Sequence, residues 1–142
     1  MIYGVGTTYA SSDEKLSEFI ANEAICLGWS AAEAPAIHQL FGQIGVGDIV
    51  FAKSFPPQYG LFIKAVGIVT SAKIFELPRL GVARHVHWIW STLESNEYVR
   101  LGRLDDHYDY FRGGTLYQEL GIRVQDQVLE IVFNGAPVQT DT

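Results

Sequence analysis

The sequence holds a single cysteine, Cys26, so no internal disulfide can form and stability must come from packing. Cys26 sits in the apolar run Ala24-Ile25-Cys26-Leu27, the setting of a buried, inert thiol. Charge is scarce as well. Charged residues make up 18% and hydrophobic residues 48%, the reverse of the balance that keeps a chain disordered. Ten basic residues face 16 acidic ones, for a net charge of −6. That excess argues against a broad, nonspecific nucleic-acid surface, which needs a basic footprint. Long hydrophobic runs are missing too. The longest, residues 61–69, is broken by Lys64 and falls short of the roughly 20 residues of a membrane helix. Met1-Ile2-Tyr3-Gly4 is not a basic start followed by an apolar run, so no signal peptide is expected. The expectation is a cytoplasmic protein with no membrane partner.

Motifs of catalysis are also lacking. The sequence has no Gly-x-Ser-x-Gly elbow, no phosphate-binding Gly-x-x-x-x-Gly-Lys loop and no Cys-x-x-Cys pair. Gly4-Val5-Gly6 is too short for a dinucleotide fingerprint. The chain is therefore expected not to be an enzyme in its own right, with no catalytic residues and no cofactor.

What is present is ample material for one core. The 142 residues suffice for a single domain, expected over residues 1–134 with a tail at 135–142. Aromatics are generous, with three Trp, seven Tyr and eight Phe, more than a core of this size requires. Basic residues are spread unevenly. Only Lys15 falls in the first 47 residues, whereas Lys53, Lys64, Arg79, Arg84, Arg100, Arg103 and Arg112 lie centrally. They could form a local basic rim around one pocket.

Residues 2–7 alternate and predict a first strand. Ser11 and Glu14 have capping-box spacing ahead of Leu16, Phe19 and Ile20, which predicts a helix. Ala24–Leu27 reads as a buried strand ending in Gly28-Trp29. Ile37, Leu40, Phe41 and Ile44 recur at helical spacing after Pro35, with Gly45 and Gly47 beyond. Gly47-Asp48 then opens a β-rich stretch to Ser54, and Pro56-Pro57 forces a loop. Further strands are predicted at 61–69, 73–77, 85–90 and 98–104. Thr115 and Gln118 have the spacing of a helix cap, and Val124, Val128 and Ile131 carry a later helical stripe. Strands from 48 to 104 follow one another directly, so the helices cannot be crossovers of a parallel sheet. The fold class expected is α+β, a mixed, partly closed β-barrel with helices packed on its ends.

Ala24-Ile25-Cys26-Leu27-Gly28-Trp29, a helix, Gly47-Asp48-Ile49-Val50 and Ile63-Lys64-Ala65-Val66-Gly67-Ile68-Val69 follow in order. Together with Gly113-Gly114-Thr115-Leu116-Tyr117, this order resembles the PUA-like superfamily. Within it, the likeness is to EVE-type and modified-base-reading domains of modification-dependent restriction systems. It spans about residues 2–133. The resemblance implies a concave, aromatic-lined pocket that holds a base, modified or flipped, in DNA or RNA. The carry-over is strongest at Trp29 and at Lys53-Ser54. The chain departs from those relatives in its acidity, and it is expected to carry no fused nuclease or motor domain.

Trp29 follows a glycine at a strand end, where its indole either plugs the barrel or stacks a base. Trp88 and Trp90 share a face by alternation, as core or as a pocket wall. Lys53 and Ser54 enter the Pro-Pro loop, where they either face solvent or meet a phosphate and a base edge. Phe55 and Tyr59 flank the prolines as further lining candidates. Lys64, the one charge in an apolar strand, needs a carboxylate, a polar pocket or a route to solvent. His85 and His87 could contribute two metal ligands with Asp105, Asp106 or His107, but no spacing signature links them and no metal site is expected. Asp105, Asp106 and Asp109 read as a polar loop neutralised by Arg103 and Arg112.

The function expected is a nucleic-acid or nucleotide binding module that accepts a base in an aromatic pocket. Its partner would be DNA, RNA or a modified nucleotide, alongside a protein carrying a catalytic domain. The rival expectation is a non-catalytic interaction or sensor subunit in bacterial defence or RNA metabolism. A small-nucleotide enzyme using the His and Asp residues of 85–109 is a third.

Overall fold

Alternation at the start of the chain sets β1 (Ile2–Gly6) deep in a sheet, with Tyr3 and Val5 buried. The computed structural model describes residues 1–10, 12–95 and 99–138. After β1 come the short β2 (Thr8–Tyr9) and β3 (Asp13–Glu14), α1 (Leu16–Ala21), β4 (Ala24–Leu27) and α2 (Pro35–Gln43). Next are β5 (Ile49–Ser54), β6 (Leu61–Leu77), β7 (Gly81–Ser91), α3 (Thr92–Ser95) and β8 (Val99–Gly102). The chain ends with α4 (Asp109–Arg112), β9 (Leu116–Gln118) and α5 (Ile122–Asn134).

The fold is α+β around one mixed seven-stranded sheet of order β4-β7-β6-β5-β1-β9, with β8 also paired to β6. β1 and β5 run parallel, Ile2 opposite Ile49 through Gly6 opposite Lys53. The other pairings within this sheet are antiparallel. Among the described residues no pairing joins β4 to β9, so the ladder stays open and does not close into a barrel.

Both faces of the sheet are covered. Val50 and Phe51 are neighbours on β5 and enter different core clusters, as strand alternation requires. Val50 joins Phe19 of α1 and Phe41 of α2, together with Ile25, Leu27, Val69 and Val86. Phe51 joins Val124, Val128 and Ile131 of α5, with Leu61, Ile63 and Trp90. Each fully buried Phe, Leu or Ile contributes roughly 1.5–3 kcal/mol. Pro35 begins α2 at the position where its missing N–H costs nothing.

Several local expectations are corrected. Glu14 is a strand residue and not a helix cap: its carboxylate accepts hydrogen bonds from Thr7, Thr8 and Lys64 side chains and from the Leu16 amide. Ser11, the other half of the expected box, lies outside the described residues, as do Tyr98 and tail residues 139–142. Residues 61–69 and 73–77 are not two strands but one, the 17-residue β6, whose ladder to β7 is interrupted between Val69 and Ile74. Leu116, Tyr117 and Gln118 form a strand, because Tyr3, Gly4 and Val5 offer an open edge to pair with. Gly121 stands at the N-terminus of α5, where the Val124, Val128 and Ile131 stripe is buried as expected.

Candidate functional site

The parallel pair β1 and β5 leaves the sheet at one end, where the chain turns away after Gly6 and Ser54. β9 begins at that same end, since it runs antiparallel to β1 with Leu116 opposite Val5. In open α/β sheets the crevice beyond the carboxyl ends of such strands is where ligands bind. Here it is a cavity of about 850 Å³. Its walls come from five segments: Gly6 to Ala10 at the end of β1, Gly28-Trp29 after β4, Glu33 ahead of α2, Lys53 to Pro57 at the end of β5, and Gly113 to Thr115 before β9.

Trp29 is held at the cavity edge with 49% of its surface exposed, which excludes the core plug. Its Nε1 donates to Thr115 Oγ1 at 3.1 Å. His38 Nε2 lies 2.5 Å from the Trp29 carbonyl. A carbonyl only accepts, so this nitrogen of His38 carries the proton. Beyond Trp29 the backbone is fixed reciprocally: Ser30 N donates to Glu33 Oε1 and Glu33 N donates to Ser30 Oγ, both at 3.1 Å. The indole thus has an anchored edge between two constrained segments.

Lys53 is 5% exposed, neither a solvated lysine nor a free one on the rim. Its ammonium donates to the Arg112 carbonyl at 2.7 Å and to the Gly114 carbonyl. Among the described residues it has no carboxylate partner. Burial, helped by the nearby Lys64 charge, pulls its pKa down to about 8. Lys53 therefore clamps the Gly113-Gly114 loop to the end of β5 and shapes the wall facing the ligand space.

Lys64 shows why one lysine needs a carboxylate and the other does not have one. β5 and β6 slip register at this point, Ala52 opposite Ala65 and Lys53 opposite Ile63, which leaves Lys64 as the extra residue of a β-bulge. Bulges re-aim side chains. Lys64 Nζ reaches Thr7 Oγ1 at 2.7 Å and Glu14 Oε2 at 2.8 Å. Burial works against the Glu14 carboxylate, but hydrogen bonds from Lys64, Thr7 and Thr8 outweigh it and hold its pKa at about 2. This cluster pins the β1–β2 loop that supplies Thr7 and Thr8 to the cavity.

A second polar cluster braces the opposite wall. The buried Arg112 guanidinium binds both oxygens of the buried Glu119 at 2.8 Å, and also Asp106 and Asp109. Burial opposes its charge, yet the hydrogen bonds it donates to these carboxylates raise its pKa. The expected polar aspartate loop is thus an ion-pair network, with Arg112 and not Arg103 at its centre. Arg103 instead donates to the Pro57 carbonyl at 2.7 Å.

Four of the seven sequence candidates meet in the cavity: Trp29, Lys53, Ser54 and Phe55. Tyr59, Trp88 and Trp90 are not among its lining residues. Tyr59 is largely exposed on the far part of the Pro-Pro loop. Trp88 donates from Nε1 to the Phe19 carbonyl at 3.2 Å. Trp90 is buried against Phe51 and Ile63. Alternation placed these two indoles on one face, but a bulge at Ile89, with Gly67 opposite Trp88 and Val66 opposite Trp90, sends them into different clusters. The expected basic rim does not form from Arg84 and Arg112, which are internal; Arg84 serves the Ser71 and Phe41 carbonyls. His85 stacks on Phe75 with ring centroids 4.2 Å apart.

Sequence reasoning missed Thr7, Thr8, Tyr9 and Glu33 as cavity residues. Only Glu33 had a legible signal, the capping-box spacing of Ser30-Ala31-Ala32-Glu33. No protein-family model matches the chain, and no curated protein matches it. Among the described residues, no helix is long and apolar enough to cross a membrane.

Proposed function

We propose that this chain is a nucleic-acid or nucleotide binding module whose cavity accepts a base, ordinary or modified, against Trp29. The observation that carries the reading is the half-exposed indole, anchored at one edge by Thr115, in the wall of a cavity of about 850 Å³. That volume falls in the range of ligand pockets, roughly 300–1,000 Å³. An aromatic face stacks bases of any identity, worth roughly 1–3 kcal/mol per base. Around it stand Ser54, Thr7, Thr8 and Thr115, whose hydroxyls suit the polar edge of a base. Phe55 supplies apolar wall. Among the described residues, charge in the lining is limited to Lys53 and Glu33, and the Lys53 ammonium already serves two carbonyls. This suits a neutral heterocycle better than a polyphosphate.

The reading agrees with the resemblance to PUA-like, EVE-type domains, and the open sheet with its end cavity is taken as a partly closed barrel of that kind. No residue is assigned a catalytic role. Fluorescence titration with ordinary and modified nucleosides and short oligonucleotides tests the reading. Saturable quenching supports it, and a flat response from folded protein across the panel contradicts it.

A second reading, an interaction or sensor subunit, is favoured by one observation. Ile122 and Phe133 on α5, with Tyr110 and Phe111 on α4, are large apolar side chains left exposed. Mass that rises with concentration, without any nucleoside response, would favour it.

A further inference from the structure

A second hollow of about 600 Å³ adjoins the first, at the turn between β6 and β7. Tyr9 and Gly28 line both, so the two form one trough with these residues between them. The arrangement is fixed. The Tyr9 hydroxyl donates to the Leu80 carbonyl at 2.6 Å, tying the loop after β1 to the turn. Gly81 takes φ +101°, and a Cβ there would lie 2.1 Å from the Leu27 carbonyl oxygen, so the turn presses on the end of β4 just before Gly28 and Trp29.

Arg79 is the cation of this second hollow. Its side chain is exposed and, among the described residues, has no ion pair or hydrogen bond. Lys64, Arg84, Arg103 and Arg112 all have partners; the Lys73 and Arg123 side chains have none either among the described residues, but they line neither hollow. The backbone of Arg79 is unusual as well, with φ +68°. Pro78 precedes it and Leu80 N donates to the Leu77 carbonyl, the pattern of a type II turn, whose third position favours glycine. An arginine here accepts strain and leaves its guanidinium without a protein partner beside the hollow. Strain of this kind points toward function when a binding feature accompanies it. Glu76 lines the same hollow, so its two charged groups sum to zero. One exposed guanidinium with a carboxylate in the same hollow gives a modest attraction for an anion, which the carboxylate partly offsets.

We propose that the Arg79 hollow is a second subsite, taking the phosphodiester of the nucleotide that flanks the base held against Trp29. The proposal rests on the base-binding reading, and it makes the ligand a strand and not a free nucleoside. Arg79 binds the bridging phosphate, Tyr9 and Gly28 form the saddle the strand crosses, and Glu76 weakens the hold on the phosphate.

The test compares nucleosides with dinucleotides. The probes are adenosine, guanosine, cytidine, uridine, N6-methyladenosine and 5-methylcytidine, and the dinucleoside monophosphates that join each to uridine. They are titrated by calorimetry into wild type, Arg79→Gly and Glu76→Gln. Arg79→Gly removes the cation while relieving the backbone, so the variant folds at least as well as wild type. The expected result is that a dinucleotide binds wild type more tightly than its nucleoside, by roughly fivefold for one exposed charge pair. Arg79→Gly abolishes that advantage without changing nucleoside affinity, and Glu76→Gln enlarges it. Loss of the cation also lowers the slope of log affinity against log salt by roughly 0.7. Nucleoside binding with no dinucleotide advantage, or an advantage that survives in Arg79→Gly, overturns the subsite and leaves the base reading standing. No binding of any nucleoside or dinucleotide to wild type overturns both.

Discussion

Trp29 and Thr115 stand 86 residues apart and meet through one hydrogen bond, indole Nε1 to Oγ1 at 3.1 Å. The bond satisfies the polar edge of the indole and leaves a face open to the cavity. It also joins the exit of β4 to the entry of β9, elements that are not neighbours in the sheet. Thr115→Val keeps the shape and removes the acceptor. Nucleoside affinity should weaken roughly three- to tenfold, the worth of one hydrogen bond of about 1 kcal/mol. The fold should survive, because the bond is solvent-exposed. Unchanged affinity would show that the indole needs no anchor.

Arg112 and Glu119 form the most deeply buried ion pair among the described residues, both side chains without exposed surface. Arg112→Met should destabilise the protein by roughly 3–5 kcal/mol, because it strands the Glu119 carboxylate in the interior. Glu119→Gln added to Arg112→Met should recover part of that loss. Urea denaturation of the single and double variants measures both. A single variant within 1 kcal/mol of wild type, on the order of a surface pair, would contradict the network's structural role.

Lys53 predicts an alkaline signature. Its folded pKa is about 8 against an ordinary 10.5. Below pH 8 both folded and unfolded chains hold the proton, and the burial penalty is constant. Between pH 8 and 10.5 the unfolded chain holds it and the folded protein does not, so this group's contribution to stability rises with pH. The full rise is about 3 kcal/mol, at about 1.4 kcal/mol for each pKa unit. Tyrosines with raised pKa values pull the other way, but they are common to wild type and to Lys53→Met. The stability of wild type relative to Lys53→Met should therefore climb from pH 7.5 to pH 10. A flat difference would mean that the ammonium is not desolvated.

Much of the fold was legible because it rests on periodicity. The α2 pattern of Ile37, Leu40, Phe41 and Ile44, the buried Ala24–Leu27 strand and the α5 stripe all survive in the structure. What sequence could not give is where a strand breaks its own alternation. One extra residue at Ile89 separates Trp88 from Trp90, and one at Lys64 turns that side chain toward Glu14. Both are ladder events, decided by the partner strand. The strand at Leu116 to Gln118 was missed for a similar reason, since a capping spacing in the chain lost to an open edge of β1. In the site, Trp29 was legible from its glycine and its strand end. Thr7, Thr8 and Tyr9 were not, because nothing in their local sequence says that β1 and β5 leave the sheet together.

The central claim is that Trp29 forms the binding face for a base. Calorimetric titration of the nucleoside panel into wild type, Trp29→Phe and Trp29→Ala addresses it most directly. The account predicts saturable binding by wild type, partial retention in Trp29→Phe, and a loss of roughly 1–3 kcal/mol in Trp29→Ala, with all three proteins folded. Equal affinity of wild type and Trp29→Ala for the nucleoside that binds would contradict it.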